Sequence, residues 1–401
     1  MVSSSPPTST TALAGWRQVV STDQPVGRTI ACSSVVASAP ALSTVGTSFT
    51  TGLLDPFGVA FSHDGRHVFV DSLITPAMST TGPSSSRSPS SISVYSATPS
   101  GLTHERVGTF ATGSLVGMAL SPNGRVLAAA NDSGASVFSV SRMVQTKFGP
   151  PTWLLGSFDS KGQGAIETEF SPDGHFVFVS LENSNEIAVF SLKRALVHGF
   201  NPGDLVGFVP LGLAPVGMTV SADGRYLYAT SEAATPTGTE GTLSTIEVRM
   251  AERDPSRSVL STVWAGCSPV RVAATGTSVY VTARGSDALV EFSAADLVTD
   301  PGSALISQVG VGESPVGLTL VDHHTTLVIA DSNRFSVGGA TSNLAVVSTK
   351  RNASLELLGY VSSGVFPRDM VVSPDGNSLV VSDFSSGDIE DVDLDTLPTA
   401  P

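Results

Sequence analysis

Three ionisable residues are the first candidates for chemistry: Glu167, Arg271 and Asp369. They occupy one position of a repeat whose other members there are Gly58, Gly117, Gly217 and Gly317. Charge placed in a crowded, glycine-lined mouth is costly unless it is paired. Such a trio either clasps itself as an ion network or meets a ligand. Its types suit a carboxylate general base beside a guanidinium that holds a carboxylate, phosphate or enolate. A second tier follows at the ends of neighbouring strands: Asn131, Asp132, Glu182, Ser231, Glu232, Arg284, Asp331 and Asp383. Arg368 adjoins Asp369, and Phe57, Phe335 and Phe366 supply apolar surface nearby. Glu169 stands where the other repeats have Ala60, Ala119, Thr219, Ala273, Thr319 and Val371, so what neutralises it is the sharpest question the sequence raises.

Other chemistries find less support. A divalent metal would need Glu167, Asn131 and Asp369 to converge, and no local motif marks oxygen ligands of that kind, so no cofactor is expected. No Gly-x-Ser-x-Gly elbow is present. His63, His67, His175, His323 and His324 fall at or near turns on the opposite side from the trio, which leaves a Ser-His-Asp triad without its base.

The elements that must position these residues are hairpins. Each turn reads Ser-x-Asp-Gly or a relative: Ser62 to Gly65, Ser121 to Gly124, Ser171 to Gly174, Ser221 to Gly224, a worn Ala274 to Gly276, a worn Asp322 to His324, and Ser373 to Gly376. Pro presets φ at the second position of such turns and Gly accepts positive φ at the last, so each joins two strands tightly. The turns recur at intervals of 48 to 59 residues. Seven units of that length, with alternating apolar residues on either side of the turn, predict an all-β, seven-bladed β-propeller of four-stranded antiparallel blades. The last unit lacks an outer strand, and Ser43 to Thr50 is expected to supply it and close the ring. Residues 1–40 are expected as a partly disordered extension, with Trp16 to Val20 as an added strand, and 41–401 as one propeller domain.

Because the Asp-Gly turn marks one end of each blade, the start of the innermost strand and the end of the second lie at the other. The trio therefore lines the top mouth of the central channel, with the second tier on the rim. Long connections at the same end (Ser72 to Ser90 with Met78 and Arg87, Ala233 to Gly241, and Ser332 to Ser342 with Arg334 and Phe335) point to the same face.

Composition excludes some classes. The chain carries 21 Lys and Arg against 35 Asp and Glu, a net charge of −14, which does not suit the neutralisation of phosphates, so no nucleic-acid partner is expected. No run of about 18 apolar residues exists, so no membrane span is expected. Cys32 and Cys267 permit one disulfide but read better as two buried, inert thiols. The N-terminus lacks a basic segment followed by an apolar one, which suits a cytoplasmic protein or a mature secreted form.

The strands Tyr226-Leu227-Tyr228-Ala229-Thr230 and Val279-Tyr280-Val281-Thr282, with Ser-Pro-Asp-Gly turns, resemble the YVTN-type seven-bladed propellers and the overlapping lactonase-type group that includes bacterial 6-phosphogluconolactonase. Phe366-Pro367-Arg368-Asp369-Met370 is similar to that group's Gly-Pro-Arg-His-Met strand start, with Asp369 in place of the His. Leu181-Glu182 and Ser231-Glu232 stand where the group often has Asn-Glu. The resemblance implies a small-molecule enzyme acting at the top mouth, with hydrolysis of a lactone foremost. A metal-free cyclase or isomerase of secondary metabolism and a non-catalytic binding scaffold are the alternatives.

Overall fold

The computed structural model describes residues 24–32, 37–43, 46–50, 55–73, 90–98, 101–110, 113–321, 325–334, 342–349 and 355–397. The expectations for Trp16 to Val20, for Met78 and Arg87, for the turn at 322–324 and for Phe335 lie outside these residues.

Local chemistry fixes the hairpins as the sequence predicts. In the turns of blades 1, 3, 4 and 7 a Ser hydroxyl donates to the Asp two residues on, at 2.6 to 2.7 Å. The same hydroxyl accepts an amide N–H from the start of the next strand. Gly65, Gly174, Gly224 and Gly376 have φ between 67° and 80°, a conformation that glycine adopts without strain. The worn turn of blade 5 keeps this logic with Thr275, whose hydroxyl accepts from Ser278.

Seven four-stranded antiparallel sheets form the propeller. Their innermost strands are Pro56–Phe61, Leu115–Leu120, Ala165–Phe170, Leu213–Val220, Pro269–Ala274, Pro315–Val321 and Pro367–Val372. The seventh sheet is completed from the N-terminal side: Gly46–Thr50 pairs antiparallel with Asp388–Asp393, Gly46 opposite Val392 and Thr50 opposite Asp388. That closure gives the last blade its outer strand and couples the two ends of the chain, leaving no open blade at the seam.

Apolar side chains from adjacent blades interlock. Phe178, Ile187 and Val189 of blade 3 pack with Met218, Leu227 and Ile246 of blade 4, all fully or nearly fully buried. Each such side chain contributes roughly 1.5–3 kcal/mol through burial, which makes the ring a stiff frame for its mouth. Among the described residues no helix is long and apolar enough to cross a membrane.

The described part of the N-terminal extension runs along the outer edges of blades 4 to 6. The Val26 amide donates to the Thr262 carbonyl at 2.9 Å, that of Ala37 to Val311 at 3.0 Å, and that of Leu42 to Tyr360 at 2.7 Å. Ile30 is buried among blade 4 and 5 residues such as Val263 and Val281. Cys32 and Cys267 are joined in a disulfide with Cα atoms 5.4 Å apart, so the reading as two inert thiols is wrong. The sequence hid this pairing because the 235-residue separation carries no local signal, and only the docking of the arm brings the two residues together.

Candidate functional site

In every blade the pairing of the innermost strand with its neighbour slips at the top, for example between Ala165 and Thr168, between Pro269 and Val272, and between Pro367 and Asp369. Bulges of this kind bend a strand and re-aim side chains. The bulged residues form two rings. One is the mouth column that the sequence singles out. The other is the residue before it: Phe57, Val116, Ile166, Val216, Val270, Val316 and Arg368. Val216, Val270 and Val316 pack together with Phe366, Ile166 and Phe384. Arg368 is the one charged member of that apolar ring.

The charged members of the mouth column sit on blades 3, 5 and 7, and each neighbours a glycine on the blade before. A Cβ at Gly117 would lie 2.2 Å from the Ile166 carbonyl oxygen, beside Glu167, and one at Gly217 would lie 2.0 Å from the Val270 carbonyl oxygen, beside Arg271. The glycines are therefore what allow the bulges of blades 3 and 5 to close in.

Glu167 and Arg271 meet across the intervening blade, Oε2 to Nη1 at 3.5 Å. The Glu167 carboxylate also accepts the Met218 amide of blade 4 at 3.2 Å. Asp369 of blade 7 repeats that bond four blades further round the ring, accepting the Val59 amide of blade 1 at 3.0 Å. Burial pushes the Glu167 carboxyl up to about 7 against the pull of Arg271, with Asp369 adding repulsion. Burial also raises Asp369, and Arg271 opposes it.

Among the described residues no cation pairs with Glu169, and its one hydrogen bond is the Phe170 amide at 3.2 Å. Burial raises its carboxyl to about 8, and the Glu167 carboxyl adds to this.

On the rim, Glu232 of blade 4 and Arg284 of blade 5 pair at 2.9 Å. Glu182 stands close by: burial and then the Glu232 charge raise its carboxyl, while Arg284, Arg368 and Arg334 lower it. The structure thus gathers Glu167, Arg271, Asp369, Glu182, Glu232, Arg284, Arg368 and Phe57 at one mouth.

The remaining expected residues are taken up by loops. Asn131 is buried and donates to Ser136 at 2.7 Å. Asp132 accepts the Ser114 amide at 3.2 Å. Ser231 is buried beside Gly212. Asp331 is fully buried against Gly312, and desolvation first, then the nearby Asp287 charge, raise its carboxyl well above the usual range. Asp383 accepts the Ser363 hydroxyl at 3.0 Å, and burial raises it to about 7. Among the described residues no three His, Cys, Asp or Glu side chains are grouped to hold a metal.

Two participants escape a sequence reading. Phe384 closes the aromatic surface, with ring centroids 5.2 Å from Phe366 and 6.3 Å from Phe57. Asp71 is fully buried and accepts the Gly58 amide at 2.7 Å, and desolvation drives its carboxyl well above the usual range. Its counterparts are Ser180, Thr230, Thr282 and Ser382. Each accepts the mouth residue's amide on its own blade and donates to a carbonyl of the next, at 2.7 to 3.1 Å. A Ser/Thr column with one Asp was the available signal.

A groove of about 510 Å³ lies at the opposite end, between blades 3 and 4, and includes Asp173, Asp223, Arg225 and Glu252. Asp173 and Asp223 there are committed to their own turns, and burial raises the Glu252 carboxyl.

No family model matches the chain, and no curated protein resembles it in sequence. Solved structures resemble it in fold. A chain of the Mitotic Checkpoint Complex superimposes with a TM-score of 0.63 at 13% identity, over 95% of this chain and 99% of that one. Hydrazine synthase of Kuenenia stuttgartiensis gives 0.62 at 16% identity, over 88% and 99%. A functionally unknown protein from Desulfotomaculum acetoxidans gives 0.55 at 13% identity, over 78% and 86%. Likeness at these identities shows the fold alone, a seven-bladed β-propeller.

Proposed function

We propose that the top mouth is an acid–base site for a small molecule, with lactone hydrolysis as the reaction and Glu167 as general base. The observation that supports this is a carboxyl near 7 held 3.5 Å from a guanidinium inside an apolar ring, since a base poised near the working pH is the most effective. In the reaction Glu167 takes a proton from water as the water oxygen bonds to the lactone carbonyl carbon. Arg271 steadies the resulting oxyanion. Collapse of that intermediate breaks the ring C–O bond, and the proton on Glu167 passes to the departing alkoxide. A metal-free cyclisation or isomerisation would use the same two groups. The Cys32–Cys267 disulfide favours the secreted option, because such bonds persist in oxidising compartments.

The test is base uptake at constant pH with simple γ- and δ-lactones, for the wild type and Glu167→Gln. The wild-type rate should rise through pH 7, and the variant should lose about 100-fold or more while remaining folded. A wild type that hydrolyses nothing in the series, or a folded variant of equal rate, sinks the reading.

A second reading has its own support. Glu167 and Asp369 each accept an amide of the next blade, as a purely structural clasp would. A non-catalytic binding propeller is then the function, and ligand binding without turnover is its signature.

A further inference from the structure

Arg368 sits in the apolar ring with its guanidinium carbon 3.5 Å from the centroid of the Phe57 ring and 5.5 Å from those of Phe366 and Phe384. Among the described residues no hydrogen bond or ion pair reaches its guanidinium, and its Nε is shielded from solvent without a partner. This is unusual. A desolvated guanidinium without an acceptor loses water hydrogen bonds and gains only ring contacts in return. Every other charged group of the inner mouth has a compensating bond: Glu167 has Arg271 and Met218, and Asp369 has Val59.

The surroundings favour an anion. Burial first, then repulsion from Arg271 and Arg334, brings the Arg368 guanidinium down to about 9, with Asp369 in partial opposition. The Arg334 guanidinium lies 5.4 Å from the Phe366 centroid, on the same aromatic surface. Phe57 covers one face of the Arg368 group, which leaves its planar N–H edge for bonding. That edge matches the two coplanar oxygens of a carboxylate. The three phenyl rings offer the flat apolar surface that the rest of such a ligand would cover.

We infer that Arg368, framed by Phe57, Phe366 and Phe384, is the binding subsite for the carboxylate of a small acid with a planar, apolar body. The inference rests on the mouth being a small-molecule site and names the class of molecule it takes. Glu167 and Arg271 would then work on a group of the ligand remote from its carboxylate.

The experiment is equilibrium binding to the full chain at neutral pH, read by calorimetry and ligand-observed NMR, with trans-cinnamate, cinnamamide and phenyl phosphate as probes. Cinnamate should bind, and the isosteric neutral amide should bind about tenfold more weakly or less, the loss expected for one charge-assisted pair. Phenyl phosphate should not outdo cinnamate. Arg368→Met should lose the preference for cinnamate over its amide, and Arg368→Lys should retain part of it. Melting of Arg368→Met should be unchanged or raised, because an uncompensated buried charge has been removed.

Failure of the wild type to bind cinnamate, equal binding by Arg368→Met, or tighter binding of phenyl phosphate overturns the assignment. So does a large drop in the melting temperature of Arg368→Met, which would make the stacked guanidinium a structural strut. The hydrolysis reading fails separately. Turnover of neutral lactones by a wild type that does not bind cinnamate leaves that reading intact and removes this one. Cinnamate binding by a protein that hydrolyses nothing does the reverse.

Discussion

The two ends of the propeller use the same chemical group in opposite ways. At the turns, Asp64, Asp223 and Asp375 are held below the usual carboxylate range by a Ser hydroxyl and a backbone amide in open solvent. At the mouth, Glu167, Glu169, Asp369 and Asp71 are all raised by burial. A carboxylate with two donors and water is a staple. A carboxyl without water, with one donor or a distant cation, is a group that can hand over a proton near neutral pH. The contrast puts the raised, buried carboxyls at one end and the lowered, solvated ones at the other.

The severest test of that contrast removes the cation of the mouth. Arg271→Met leaves Glu167 and Asp369 buried without their main source of compensation, so stability should fall by about 3–5 kcal/mol at pH 8. At pH 5 the loss should shrink, because Glu167, raised to about 7, then carries a proton. Thermal or denaturant unfolding at the two pH values decides it. Equal losses at both would mean that Arg271 acts through packing instead of charge.

The disulfide lies at the mouth end but on the outermost strand of blade 4, away from the buried carboxyls, and serves as a control. Cys32→Ser with Cys267→Ser frees the arm from the outer strand of blade 4, at a cost of about 2–4 kcal/mol. The drop in unfolding midpoint should be the same at pH 5 and pH 8. A pH-dependent loss would show that the arm reaches the ionising mouth.

Smaller effects separate the ends by sign. Glu169 is raised from 4.5 to about 8, so the folded chain binds a proton there that the unfolded chain releases between those values. Its contribution is fully present below pH 4.5 and is lost as pH rises through 8. Glu169→Gln should therefore leave stability unchanged near pH 4.5 and raise it on the order of 4 kcal/mol at pH 8. Asp223 is lowered, so its contribution is present above 3.8 and lost as pH falls through the depressed value. Asp223→Asn should destabilise at pH 7 and cease to matter in strong acid. Parallel pH profiles for the two variants would erase the distinction between the ends.

Much of this was legible in the sequence because the repeat is written locally. A Ser-x-Asp-Gly turn fixes two strands and a direction, and its recurrence fixes the ring, so Glu167, Arg271 and Asp369 could be placed at one mouth from spacing alone. The closing strand was legible for the same reason, since a unit short of one strand implies a donor. What spacing could not give is which polar groups the loops would consume. Asn131, Asp132, Asp331 and Asp383 look the same in a column as Glu182 and Glu232, yet Asn131, Asp132 and Asp383 are bound to neighbouring loops or strands and Asp331 is buried against Gly312. Phe384 and Asp71 were missed because their roles come from bulges and from contacts between blades. The Cys32–Cys267 bond depends on where a strap of irregular chain docks, and no periodicity records that.

The smallest effect tests whether the mouth is held by the same device as the turns. Ser382 accepts the Asp369 amide at 3.1 Å and donates to the Phe57 carbonyl of blade 1 at 2.7 Å, while itself fully buried. Ser221 plays the matching part in a turn, bonded to Asp223 and the Tyr226 amide. Each replacement by Ala removes two bonds of the same kind. The groups orphaned by Ser382→Ala cannot reach water, so that variant should lose about 1 kcal/mol or somewhat more. Around Ser221 water can take the vacated places, and Ser221→Ala should lose less. Only the first should also alter binding at the mouth, because Asp369 and Phe57 are its two partners. If both variants lose equally and neither changes binding, then hydroxyl stitching is architecture at both ends, and the mouth differs from the turns in its charges alone.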